Sequence, residues 1–210
     1  MTTPLRVVLD INFFVRLTKA SLQKRSNTAV QRIFAAIATG WISGRPVQLV
    51  ASFQMIDTLS QVLQRLSVAD DVADEVARTM IDMMVTGPEQ LRPYVILGGS
   101  PDLTLKDAED GGVLATAFAA RASLLVTDNL ADFMPAGCEC FQTSTMRMTD
   151  GAERILTCQI IKRSDGHEIV VAHPVDVQNW IGKQLDPTPD NVRTWLSGRT
   201  HVPASPQKQP

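Results

Sequence analysis

Four carboxylates sit where they could act together. Asp10 closes the short apolar run Leu5 to Leu9, Asp107 and Asp110 open a helical stretch, and Asp128 follows Leu124 to Thr127. If the strands are parallel, their carboxyl ends and the starts of the following helices share one edge, so these acids converge there. Carboxylates brought together repel unless a cation neutralises them, and hard oxygen ligands suit Mg²⁺ or Mn²⁺. Ions held this way can activate water and stabilise a leaving oxygen, as in-line attack on a phosphodiester requires. Each acid also has a plainer reading. Asp10 could start a turn, Asp107 and Asp110 could be the N-cap and N3 acid of a capping arrangement, and Asp128, Asn129 and Asp132 could open a turn or helix. Coincidence at all three places is harder to accept than at one.

The formal net charge of −2 argues at first against an anionic partner, but the average conceals an asymmetry. From Ile11 to Ile56 there is no Asp or Glu, while Arg16, Lys19, Lys24, Arg25, Arg32 and Arg45 fall in that stretch. Such a patch could meet phosphates beside an acidic pocket; solubilising residues on helix faces are the alternative. His167, His173 and His201 have no compact metal-ligand spacing and read as surface or hairpin residues. Cys138, Cys140 and Cys158 lack the second half of a zinc motif and read as buried or incidental thiols. Neither Gly98-Gly99 nor Gly111-Gly112 has the strand-to-helix setting of a dinucleotide fingerprint, which leaves nucleotide cofactors unsupported.

Positioning these acids requires alternating strands and helices. Leu5 to Leu9 reads as a buried parallel strand. After a linker, Asn27 caps a helix whose Val30, Ile33, Phe34 and Ile37 recur at i, i+3, i+4 and i+7, with Gly40 as its stop. Val47 to Ala51 forms a second strand, and Ser52 caps a helix carrying Met55, Leu59, Val62, Leu63 and Leu66. Asp70 to Val85 is helical, its early acids favoured by the helix dipole. A helix from Asp107 to Arg121 leads to the strand Leu124 to Val126, and Glu139 to Gln142 adds an edge strand. This alternation predicts an α/β fold, three layers α/β/α around a mostly parallel sheet.

After about Thr149 the pattern changes. Ile155 to Ile161 and Glu168 to Ala172 flank Ser164-Asp165-Gly166, a hairpin signal, and helices follow around Val175 to Leu185 and Asn191 to Leu196. The expected division is a domain over 1–148, a small hairpin and helix extension over 149–201, and a disordered tail over 202–210, which is proline-rich without an apolar run. With 44% hydrophobic residues, no run long enough to span a membrane and no secretory signal, a cytoplasmic location without membrane contact is the default.

The motifs together resemble the PIN family. Val7-Val8-Leu9-Asp10-Ile11-Asn12 is similar to its opening strand and Asp-x-Asn signature. Lys106-Asp107-Ala108-Glu109-Asp110 resembles its Asp-x-x-Asp element, and Val126-Thr127-Asp128-Asn129-Leu130-Ala131-Asp132-Phe133 its closing element. The resemblance implies a metal-dependent endoribonuclease using Mg²⁺ or Mn²⁺, with Asp10, Asp107 and Asp128 as main ligands and Asp110 as a further one. Asn12, Thr127 and Asn129 would orient waters or carboxylates, and Arg16, Lys19, Lys24 and Arg25 would face the RNA. For many small members it also implies the toxin role in a toxin–antitoxin pair, hence an antitoxin partner.

Two positions depart from the family pattern. The family's helix glutamate falls at Thr58 here, with Asp57 one residue, about 100° of helix, away. Asn129 falls where many members carry aspartate, leaving Asp128 or Asp132 to compensate. A PIN-like module that binds RNA or protein without cutting is therefore the alternative. A phosphatase of the haloacid dehalogenase type fits poorly, because it needs Asp-x-Asp where Asp10-Ile11-Asn12 stands. The C-terminal extension could dock on the core, mediate a homodimer or bind a partner.

Overall fold

Leu5–Leu9 forms β1, and its burial fixes the architecture. Leu5, Val7, Val8 and Leu9 are all fully buried. Successive strand side chains point to opposite faces, so both faces of the sheet are covered, as a three-layer α/β protein requires. A computed structural model describes residues 2–96, 105, 107–135, 137–147, 151 and 153–197. The boundary expected at 148/149, His201 and the tail 202–210 lie outside the described residues.

After β1 come α1 (Ile11–Leu22), α2 (Ala29–Ala38), β2 (Trp41–Ile42), β3 (Arg45–Val50), α3 (Phe53–Arg65) and α4 (Asp70–Thr86). Next are α5 (Ala108–Ala119), β4 (Leu124–Val126), β5 (Glu139–Arg147), β6 (Glu153–Lys162) and β7 (Glu168–Ala172), followed by α6 (Pro174–Gly182) and α7 (Pro189–Leu196). The strands lie in one sheet, in the order β2-β3-β1-β4-β7-β6-β5. β3, β1, β4 and β7 are mutually parallel, whereas β2, β6 and β5 pair antiparallel with their neighbours.

Three expectations need correction. The linker before the second helix is mostly α1, whose Ile11, Phe14, Val15 and Thr18 are buried at i, i+3, i+4 and i+7. The cap of α2 is Thr28, which forms a reciprocal capping box with Gln31, while Asn27 takes a left-handed φ of 61° one residue earlier. Ser52 does cap α3, accepting from the Met55 amide. The stretch read as a C-terminal extension supplies β6 and β7 to the same sheet, and β7 pairs with β4 near its middle.

Side chains tie the later helices to this sheet. β5 runs five residues beyond its expected end through an irregularity between Gln142 and Ser144. At that point the Thr143 hydroxyl donates to the buried Asp176 carboxylate at 2.7 Å, and Ser144 donates at 3.2 Å, fixing α6. Arg193 of α7 bridges Glu139 of β5 and Glu168 of β7. Cys138, Cys140 and Cys158 are buried free thiols. No described helix is long and apolar enough to cross a membrane.

Candidate active site

The carboxyl ends of β1, β4 and β7 meet at one edge, held together by the backbone. The Asp10 amide donates to Val126 at 3.0 Å, and the Thr127 amide donates to Ala172 at 3.1 Å. Asp10 is 2% exposed, and its Oδ2 accepts from the Thr127 hydroxyl at 2.8 Å and from Asn12 Nδ2 at 3.3 Å. Thr127 Oγ1 in turn accepts from the Asn129 amide at 3.0 Å, so one hydroxyl links the first motif to the last. Burial pushes the Asp10 carboxyl upward and the negative charge of Asp128 adds to this, against the Thr127 bond, which favours the charged form.

Asp107 caps α5, accepting from the Glu109 amide at 2.7 Å. That cap turns the third residue of the helix, Asp110, inward, where it is 9% exposed. Its carboxyl is raised to about 7 by burial, then by the negative charges of Asp10, Asp107, Asp132 and Glu109. Asp132 is exposed and accepts from Asn129 Nδ2, so the closing loop brings its own acid toward Asp110.

Asp128 is held by two arginines. Its Oδ2 lies 2.5 Å from Arg16 Nη2, and its backbone carbonyl accepts from Arg154 Nη2 at 3.0 Å. Its Oδ1 is buried without a partner among the described residues.

Asp57 is exposed and accepts from Gln61 Nε2 at 2.8 Å along the surface of α3. Thr58 lies one turn beyond Gln54, and Gln54 Oε1 is 3.4 Å from where a Cβ on Gly112 would stand. Residues i and i+4 share a helix face, so Thr58 lies on the side of α3 that looks toward the start of α5.

Arg16, Lys19 and Arg25 line a cleft of about 480 Å³ beside this edge, and no acid contributes to its wall. Lys24 is exposed and does not line it. His173, read from sequence as a surface or hairpin residue, is 1% exposed at the end of β7 and forms part of the cleft wall. Its Nδ1 accepts from the Val175 amide at 3.1 Å. Burial, then the positive charges of Arg16 and Arg154, push its pKa down to about 4, so the ring is neutral near pH 7 and carries its proton on Nε2. His167 sits at the hairpin, its Nε2 2.9 Å from the Ala122 carbonyl. Arg154 and His173 escaped the sequence reading because a later strand pairing brings them to the edge.

The donors available to a metal are hard carboxylate oxygens, which suit Mg²⁺ or Mn²⁺. Among the described residues no group of three His, Cys, Asp or Glu side chains is disposed to enclose a metal ion. Mg²⁺ does not require such a group, since it keeps several waters and commonly uses one or two carboxylates. The mutual repulsion at Asp110 is what a cation there would relieve, so Asp10 and Asp110 fit the role.

Fold and site together define a three-layer α/β protein with a carboxylate-lined sheet edge. The chain belongs to the PIN domain family, whose model matches residues 6–131. PIN domains are generally nucleases and typically use divalent metals. No curated protein and no solved structure matched the chain. β5, β6 and β7, with Asp132, Arg154 and His173, lie beyond the matched segment.

Proposed function

We propose that this chain is an Mg²⁺- or Mn²⁺-dependent endoribonuclease, cutting RNA at the edge where Asp10 and Asp110 meet. The observation that carries this reading is the coupling of two shielded carboxylates beside a cleft whose charged lining is entirely cationic. Asp10 and Asp110 would hold the metal, with Asp107 and Asp132 adding negative charge around it. When bound, the ion would activate water and stabilise the leaving oxygen. Thr127 and Asn12 keep Asp10 oriented, and Asn129 fixes the closing loop. Asp128, a main ligand in the sequence reading, would anchor Arg16 through Oδ2, its Oδ1 being without a hydrogen-bond partner among the described residues. Arg16, Lys19 and Arg25 would face the RNA backbone, with Lys24 at the margin.

The toxin half of a toxin–antitoxin pair, acting in the cytoplasm and opposed by an antitoxin protein, is the setting that the family resemblance supports for a small protein of this kind. Homodimerisation through the later helices belongs to the same proposal.

A second reading has its own observation. Thr58 stands where the family usually carries glutamate and supplies no negative charge, which favours a module that binds RNA or protein without cutting it. Cleavage of labelled single-stranded and structured RNAs with Mg²⁺ or Mn²⁺ separates the two. Wild type should cut and Asp10→Asn should not, with the variant's fold intact by circular dichroism. Metal-independent cutting, or equal cutting by the variant, would defeat the nuclease assignment; no cutting by wild type together with activity in Thr58→Glu would establish the degenerate module.

A further inference from the structure

The cleft beside the acid edge has a composition that the cutting reaction alone does not explain. Its wall includes the cap and first two residues of α2 (Thr28, Ala29 and Val30) and the corresponding residues of α6 (His173, Pro174 and Val175). Two helix N-termini therefore border one space, each contributing partial positive charge. Arg16 and Lys19 from α1, and Arg25 after it, add three full charges.

The second observation is the buried imidazole. His173 turns Nδ1 back onto the first turn of its own helix, leaving Nε2 on the far side of the ring. That nitrogen is buried and has no hydrogen-bond partner among the described residues. The charges acting on the ring are those of Arg16, Arg154 and Asp128. Leaving a buried donor unsatisfied costs about 1–3 kcal/mol; Asp128 Oδ1 is likewise buried and unpartnered among the described residues, so Nε2–H is committed to no protein acceptor there. Asp128 is already paired through Oδ2 with Arg16, which is half exposed and free to swing toward an incoming anion.

We infer that this cleft is a phosphate subsite, in which Arg16, Lys19, Arg25 and the Nε2–H of His173 grip a phosphodiester of the RNA backbone adjacent to the one placed at Asp10 and Asp110. The inference rests on the RNA reading above but requires no metal and no cutting. It also gives β7 and α6, outside the matched family segment, a part in substrate binding. Phosphate oxygens supply acceptors for Nε2–H and compete with Asp128 for Arg16.

The test uses the full chain in EDTA, with a 2′-O-methyl RNA oligonucleotide, the same sequence with uncharged methylphosphonate linkages, and inorganic phosphate as probes. Binding is read by anisotropy across a salt series, and the His173 Nε2–H by ¹H–¹⁵N correlation. The charged oligonucleotide should bind wild type and shift the His173 resonance. The exposed pair Lys19→Ala and Arg25→Ala, combined, should weaken binding at least about tenfold and flatten the log–log salt slope by about 1.4, near 0.7 per lost phosphate contact. His173→Gln, which keeps a side-chain N–H donor, should retain more affinity than His173→Ala, whereas a merely structural histidine would not rank them so. Unchanged binding in the double variant, or an unmoved His173 resonance, would overturn the subsite. Equal binding of the methylphosphonate, or displacement by inorganic phosphate at matching concentration, would overturn its assignment to a charged backbone diester. Because binding is read in EDTA on an oligonucleotide that cannot be cut, a failure of the nuclease reading leaves this result separately readable.

Discussion

Arg16 Nη2 meets Asp128 Oδ2 at 2.5 Å, joining the acid-free first helix to the loop after β4. The arginine is half exposed, so the pair contributes only about 0–1 kcal/mol to folding. Replacing Arg16 by Ala should therefore leave Tm within about 4 °C of wild type. It should lower kcat/KM for RNA and flatten its log–log salt dependence by about 0.7. Kinetics across a salt series check this; an unchanged slope removes Arg16 from the RNA-contacting set.

The pH response should come from Asp110. Its carboxyl is held at about 7, so the folded chain keeps a proton there that the unfolded chain, with an ordinary carboxylate, has released by about pH 5. The associated stability is complete below the unfolded value and is lost as pH rises through about 7. In EDTA at about pH 8, Asp110→Asn should raise Tm by about 2–4 °C, the effect of ~1 kcal/mol in a domain of this size, and the gain should fade toward about pH 4. Melting curves at both pH values decide; an equal gain at each would mean that packing, not charge, sets the difference.

Metal should reverse that ranking. Mn²⁺ should stabilise wild type at about pH 8 and leave Asp110→Asn unaffected, because a ligand bound only by the folded state raises its stability by mass action. Equal stabilisation of both proteins would remove Asp110 from the metal site.

Thr58→Glu would place a carboxylate on the face of α3 that looks toward α5. Mn²⁺ affinity measured by calorimetry should rise about tenfold, or ~1.4 kcal/mol. Asp57→Ala, at an exposed position bonded to Gln61, should leave that affinity as it was. The reverse pattern would put Asp57, not Thr58, on the site.

Gln159 of β6 is fully buried, and its Nε2 donates to the Leu130 carbonyl at 2.7 Å, inside the loop that runs from Asp128 to Asp132. Gln159→Leu strands that carbonyl and should cost about 1–3 kcal/mol by denaturant unfolding. Cleavage by the folded fraction should fall as well. Full activity per folded molecule would show that the loop holds itself.

β1 and β4 were legible as buried strands because burial on both faces makes Leu5 to Leu9 and Leu124 to Val126 nearly unbroken apolar runs, and Glu168 to Ala172 was legible as a strand of a hairpin. The first helix is not apparent from the sequence reading, although Ile11, Phe14, Val15 and Thr18 carry its period, because Asp10, a suitable N-cap residue, is there assigned to the acid edge. Asp10 occupies the N-cap, yet its side chain makes no capping bond and reaches Thr127 instead. The residue that would have announced the helix is committed to the acid edge. The hairpin around Asp165 was legible locally, but its place beside β4 was not, because turn chemistry does not specify which edge a hairpin joins. His173 was misread for the same reason: its burial follows from that long-range pairing and leaves no mark in its neighbours.

The position of β7 bears on how the protein is made. β4 has only three residues and lies between β1 and β7, and β7 is the last in chain order among the described strands. A nascent chain that stops after residue 131 already holds Asp10, Asp107, Asp110 and Asp128, but β4 then has an open edge and Thr127 has no Ala172 carbonyl to meet. Pairing between strands so far apart in sequence is slow and comes late. The acid edge is therefore framed only once Glu168 to Ala172 have been made, which keeps shorter nascent chains from carrying an assembled site.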